Sequence, residues 1–182
     1  MHKALEVLYH EHETIKSAIG YRKKINVLAK KNNPKFKIIV TELVGFFRKY
    51  ADNFHHYKEE KILFPLLCEK NALLKDDSVV EEMLGNHDNF RDIVKSIESA
   101  AESGNYKESD ELLNDYFDML IDHISVEDDE LFLMAENMLN ESELEKLYND
   151  FQKIDRKLGL DIKYDFENIK EKLEFELSSN QA

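Results

Sequence analysis

Two stretches of this 182-residue chain read His-x-x-x-Glu, pairing His55 with Glu59 and His123 with Glu127. Residues four apart on a helix point the same way, so each pair can grip one site from a single helix. His12 and His87 each stand on an apolar stripe of their own. The segments HHYKEEKILF (from His55) and HISVEDDELF (from His123) share H-x-x-x-E-[ED]-x-x-L-F, and His12-Glu13 is answered by His87-Asp88. The chain therefore reads as two related helical hairpins. A lone histidine on an apolar stripe is more often a satisfied core residue than a ligand. Six polar side chains at core positions are another matter. Each costs roughly 1–3 kcal/mol if left unpartnered, so the set costs on the order of 10 kcal/mol, comparable with the stability of a whole domain. Four imidazoles and two carboxylates suit a pair of borderline transition-metal ions, with the carboxylates bridging and cancelling charge.

Such a site needs long helices, and the apolar spacing supplies them. The first is expected over His2–Lys30, with Leu5, Leu8, His12, Ile15 and Ile19 in line and an Asn32-Asn33-Pro34 turn at its end. The second covers about Lys35–Glu69, and Pro65 is expected to kink or loosen its last turn. Ser78 with Glu81 reads as a capping box for the third, which carries Val80, Met83, His87, Phe90 and Val94 and closes at Gly104-Asn105. The fourth covers about Glu108–Leu139. A weaker amphipathic helix follows through Leu144, Leu147, Phe151, Ile154 and Leu158, stopped by Gly159, and a last stretch runs through Phe166, Ile169, Leu173 and Leu177. Short connections favour antiparallel neighbours. The expected fold is all-α: an up-down-up-down four-helix bundle over residues 1–140, with one or two extra C-terminal helices over 141–182 packed on or beside it.

Chain counts bear on depth. His12 lies 34 − 12 = 22 residues before Pro34 and His55 lies 55 − 34 = 21 after it; His87 lies 104 − 87 = 17 before Gly104 and His123 lies 123 − 104 = 19 after it. At a constant rise of about 1.5 Å per residue, matched counts mean matched heights, so the four histidines are expected in one layer.

Composition narrows the partners. Lys and Arg number 25 against 38 Asp and Glu, a net charge of −13, which argues against nucleic acid and anionic membranes. Cys68 is alone, so no internal disulfide and no cysteine-held cluster is expected. MHKALEVLYHEHE lacks the apolar core of a signal peptide, and a cytoplasmic location is expected.

The pattern H…HxxxE…H…HxxxE, with KEEKILFP after the first pair and DHISVEDDELF around the second, resembles the haemerythrin-like (HHE cation-binding) family over roughly the first 140 residues. The resemblance implies two iron ions as a non-haem, oxo- or hydroxo-bridged centre. It implies His12, His55, His87 and His123 as terminal ligands and Glu59 and Glu127 as bridges. It implies as partner a small diatomic or peroxide ligand. Oxygen carriers of that family place a fifth histidine one turn beyond the third-helix ligand, where this chain has Arg91. They also tend to use an aspartate five residues after the last histidine, where Asp128 stands beside Glu127. The paired hairpins favour Glu127, and the missing fifth histidine argues against simple reversible oxygen storage. The leading expectation is thus a centre whose open iron position binds or reacts with dioxygen, peroxide or nitric oxide. The alternatives are iron–sulfur cluster repair under oxidative or nitrosative stress, or an oxygen- or iron-sensing interaction domain, each with a protein partner.

Other polar residues take plainer expectations. His56 and Glu60 also form a His-x-x-x-Glu pair, rotated off the stripe and read as a solvated face or a layer behind the ligands. His2 and His10 are read as surface residues. Glu60, Asp128, Asp129 and Glu130 are read as a charged outer face, one of which could orient a ligand imidazole.

Overall fold

The computed structural model describes residues 1–75 and 79–178. Among them every regular element is helical. The first arm is α1 (Lys3–Ile19) and α2 (Arg22–Lys30), broken at Gly20-Tyr21 rather than continuous to Lys30. His2 caps α1, its Nδ1 accepting the Ala4 N–H at 3.1 Å. Asn32 takes a left-handed φ of 48° in the next turn, a conformation asparagine tolerates better than most residues.

The second arm opens as α3 (Lys35–Phe46) and then widens into π-helix at π1 (Phe47–His56) and again at π2 (Glu59–Leu63) before α4 (Phe64–Lys70). Pro65 falls in the first turn of α4, directly after π2, so it donates nothing to the carbonyls of the turn before it. The expected loosening of the helix coincides with this change of helix type. The third arm is α5 (Val79–Glu102); the capping box expected at Ser78 lies outside the described residues. Gly104, with φ 79°, ends α5: its N–H donates to Ala101 O at 3.2 Å, and that of Asn105 to Ala100 O at 2.9 Å. The fourth arm is α6 (Tyr106–Val126), π3 (Glu127–Leu131) and α7 (Phe132–Met138). Each of the two His-x-x-x-Glu motifs thus runs into a π-turn that starts at its glutamate.

The four arms form the up-down-up-down bundle. Beyond it, Asn140 and Glu143 make a reciprocal capping box for α8 (Glu141–Leu158), and Gly159 (φ 98°) ends that helix. The rest is helical but broken at Asn168, giving α9 (Leu160–Glu167) and α10 (Ile169–Ser178). Helix α8 packs against α1, and α10 against α1 and α3.

The apolar core comes in two parts. One gathers Ile15, Val44, Phe47, Phe90, Tyr116 and Leu120 with their neighbours. The other gathers Leu5, Leu8, Leu63, Met83, Phe132 and Phe151. A band of buried polar side chains lies along the arms between them.

Candidate metal centre

Every arm sends polar side chains into that band. His12 comes from α1, His55 and His56 from π1, Glu59 from the start of π2, His87 from α5, His123 from α6 and Glu127 from the start of π3. His12, His55, Glu59, His87 and Glu127 are fully buried, and His56 and His123 are 2% exposed. The wider turn of π1 reduces the angle between successive residues, so the adjacent His55 and His56 both lie inside.

The atoms that converge are those a metal would use. His55 Nε2 lies 3.3 Å from Glu59 Oε1, His12 Nε2 lies 3.3 Å from Glu127 Oε2, and His123 Nε2 lies 3.2 Å from the same Oε2. His87 Nε2 is 3.7 Å from Glu59 Oε2, 3.8 Å from Glu127 Oε1 and 3.1 Å from His123 Nε2. Ligand atoms of His12, His55, Glu59 and Glu127 all lie within 4.8 Å of one another, as do those of His56, His87 and His123. His12 Nε2, His55 Nε2 and all four oxygens of Glu59 and Glu127 are buried without a hydrogen-bond partner. Four side chains left in that state cost roughly 4–12 kcal/mol, close to a typical domain's entire stability. A pair of cations would satisfy all six atoms at once, so the donor set fits the group.

The nitrogens turned away from the centre are held by carboxylates. His12 Nδ1 meets Asp128 Oδ1 at 2.7 Å, His55 Nδ1 meets Glu11 Oε2 at 3.0 Å, and His87 Nδ1 meets Glu60 Oε1 at 3.0 Å. Such partners fix ring orientation and make the ligating nitrogen more basic. His123 Nδ1 has no such partner. Two of the orienting groups directly follow the glutamates of the motif and reach across to the lone histidine of the other arm pair. Glu60 and Asp128 thus belong to the centre and not to a solvated face.

Charge states follow from burial and these contacts. Burial, then the charge of His12, pushes His55 well below the usual imidazole range. Burial, with His87 adding to it, brings His56 down to about 3, and burial also lowers His87 itself. Neutral imidazole is the form that binds metals. His12 differs: burial opposes its charge, but the hydrogen bond to Asp128 and the nearby Glu127 carboxylate outweigh that and raise it. Burial and the nearby Glu127 push Glu59 well above the carboxylate range. Burial acts on Glu127 in the same sense, yet His123 and His12 overcome it and hold that carboxyl well below. The two glutamates of the repeat are therefore unlike.

His56, off the stripe by sequence spacing, is buried and stacks on the His87 ring at 3.8 Å between centroids and 11° between planes. It also lines a cavity of ≈ 260 Å³ with Phe47, Phe90, Val94, Tyr116 and Arg91. Arg91 does not enter the centre. Its guanidinium is held by Asp52 at 2.7 Å, Asp88 at 2.7 Å and Glu60 at 2.5 Å, and through Glu60 it braces His87. Of the histidines read as surface residues, His10 is exposed, whereas His2 is mostly covered and serves as the cap of α1.

Sequence spacing alone missed Glu11, Lys58 and Asp155, all buried behind His55. For Asp155 a signal existed. Along α8 the steps 144, 147, 151 lead by four to 155, and Asp155 is buried while Ile154, placed on the stripe by the sequence pattern, is only partly so.

Among the described residues no helix is long and apolar enough to cross a membrane. The family model of the hemerythrin HHE cation binding domain matches residues 3–135. No curated protein and no solved structure matches the chain.

Proposed function

The chain belongs to the hemerythrin HHE cation-binding family, and from that premise we propose that the buried band holds two non-haem iron ions and presents them to a small molecule: dioxygen, peroxide or nitric oxide. The observation that carries this is the set of six unpartnered atoms on His12, His55, Glu59 and Glu127, facing one another between two apolar clusters. On this reading His12 and His55 would hold one ion and His87 and His123 the other, with Glu59 and Glu127 supplying the carboxylates. When bound, the iron pair supplies electrons and a coordination position for an exogenous ligand.

The protein's own part is to shape and guard that position. The cavity beside His56 and His87 is walled by Phe47, Phe90, Val94 and Tyr116. Its volume suits a small guest, and its lining joins that apolar wall to the charged Arg48, Asp52, Arg91 and Lys95. Arg91, tied to three carboxylates, holds Glu60 against His87 and keeps that ring in place.

The test is metal analysis of protein grown in iron-rich medium, followed by anaerobic mixing of the reduced form with oxygen, peroxide and nitric oxide. Two irons per chain and a rapid absorbance change with at least one of the three are expected. Protein that retains one zinc and no iron, or an iron pair inert to all three, overturns the proposal.

A further inference from the structure

A chain of buried charges leads from one candidate ligand to the C-terminal helices. Glu11 accepts from His55 Nδ1 through Oε2 and pairs through Oε1 with Lys58. Lys58, fully buried, lies over the Phe54 ring at 3.9 Å and pairs with Asp155 Oδ1 on α8 at 2.6 Å. Asp155 Oδ2 takes Lys163 of α9 at 2.5 Å, and Lys163 reaches Glu167 at 3.9 Å, toward solvent. Asp155 and Lys163 fall outside the 3–135 span of the family match.

A buried ion pair is weak support for stability, because desolvation cancels most of its attraction. Four buried or half-buried charges in series therefore call for another account, and their end on His55 supplies one. The carboxylate behind a ligand imidazole sets both the angle of the ring and its electron donation. Glu11 is held in place by Lys58, Lys58 by Asp155, and Asp155 by Lys163. The charges −, +, −, + balance, so the ligand meets an oriented carboxylate without a net local charge.

We propose that Lys58, Asp155 and Lys163 are positioning residues for the metal centre, through which α8 and α9 set the affinity and reduction potential of the ion that His55 holds. This rests on the metal-binding role of the band.

The test uses the full chain with Asp155→Asn, Lys163→Met and the double variant. Asp155→Asn leaves Lys58 and Lys163 to share Glu11, with one positive charge in excess beside it. It should weaken cobalt(II) binding to the metal-free protein by about tenfold, the low end for loss of an outer partner, and raise the midpoint potential of the iron-loaded form. Lys163→Met leaves an uncompensated negative charge, and the potential should fall. Lys163 lies partly at the surface, so this variant has little to lose in packing. The double variant restores balance and should return toward wild type. Thermal melting and helical circular dichroism establish that each variant is folded. Folded variants with unchanged affinity and potential, or with shifts of one sign, overturn the proposal and reduce the network to a fastening for α8. Wild-type protein that takes up neither cobalt nor iron fails one step earlier, at the metal-binding role itself.

Discussion

Glu59→Gln is expected to make the metal-free protein more stable while impairing metal binding. Glu59 is fully buried, both of its oxygens lack partners, and burial with the neighbouring Glu127 pushes its pKa well above the usual range. Glutamine keeps the shape, removes the charge and can donate to His55 Nε2, 3.3 Å from the present Oε1. Relief of one unsatisfied buried group is worth about 1–3 kcal/mol, which for a chain of this length raises Tm by roughly 2–12 °C. The pH dependence has a definite sign. A carboxyl that holds its proton more tightly when folded than unfolded costs stability as pH rises above its ordinary value of 4.5. The advantage of glutamine should therefore vanish near pH 4 and grow toward neutrality. Ferrous iron at a hundredfold excess over Kd would stabilise wild type by about 2.7 kcal/mol, and most of that shift should be lost in the variant. Glu127→Gln is the counter-case: it strips the partner of a raised His12 and should lower stability by about 3–5 kcal/mol. Scanning calorimetry with and without iron reads all of this. A metal-free Glu59→Gln protein that melts below wild type, or that keeps the full iron-induced shift, would refute the argument.

Glu60→Gln should still take up two ions at saturation, but with affinity lower by about 10–100-fold, because Glu60 orients His87 without facing the metal. In the metal-free state hydrogen bonds from His87 and Arg91 outweigh burial and hold Glu60 at about 2, against an ordinary 4.5. Its stabilisation is present above pH 4.5 and lost as pH falls toward 2, so acid titration of Glu60→Gln should show a flatter loss of stability over that window. Val94→Trp should fill the cavity beside His56, leaving the iron content unchanged and weakening azide binding by roughly tenfold, the equivalent of about 1.4 kcal/mol. Arg91→Ala should keep both ions and cost less affinity than Glu60→Gln, since it removes a brace and not the orienting carboxylate; iron titration compares the two.

The helical frame was legible because apolar residues recur at helical spacing and because Asn32, Gly104 and Gly159 stop helices by local rules; the Asn140 cap of α8 came only from the structure. The break at Gly20-Tyr21 was not, since apolar spacing runs on through it. Counting residues from each turn assumed one uniform rise, which π1 does not obey. His56 was placed off the stripe on the same assumption. The orienting carboxylates lay beyond sequence spacing because each reaches across to another arm: Asp128 to His12, Glu60 to His87, Glu11 to His55. Lys58 meets Asp155 of α8 and Glu11 meets Lys163 of α9, and no pattern within the first or second arm announces partners about a hundred residues or more later.

The π-turns change what substitution and deletion mean for this chain. An α-helix closes its hydrogen bonds at i→i+4 and a π-turn at i→i+5, so each wide turn carries a residue that an α-helix in its place would not need. Deleting one residue between Phe47 and Ala51 would let that stretch relax to regular helix, and the flanking turns would keep their facing, because the residue lost is the one the wide turn absorbs. A deletion in α3 has no such slack: it turns everything on one side of the cut by about 100° relative to the other, and His55 and Glu59 would no longer face His12. Relatives that share the centre should therefore tolerate the loss of one residue within a wide turn better than within α3.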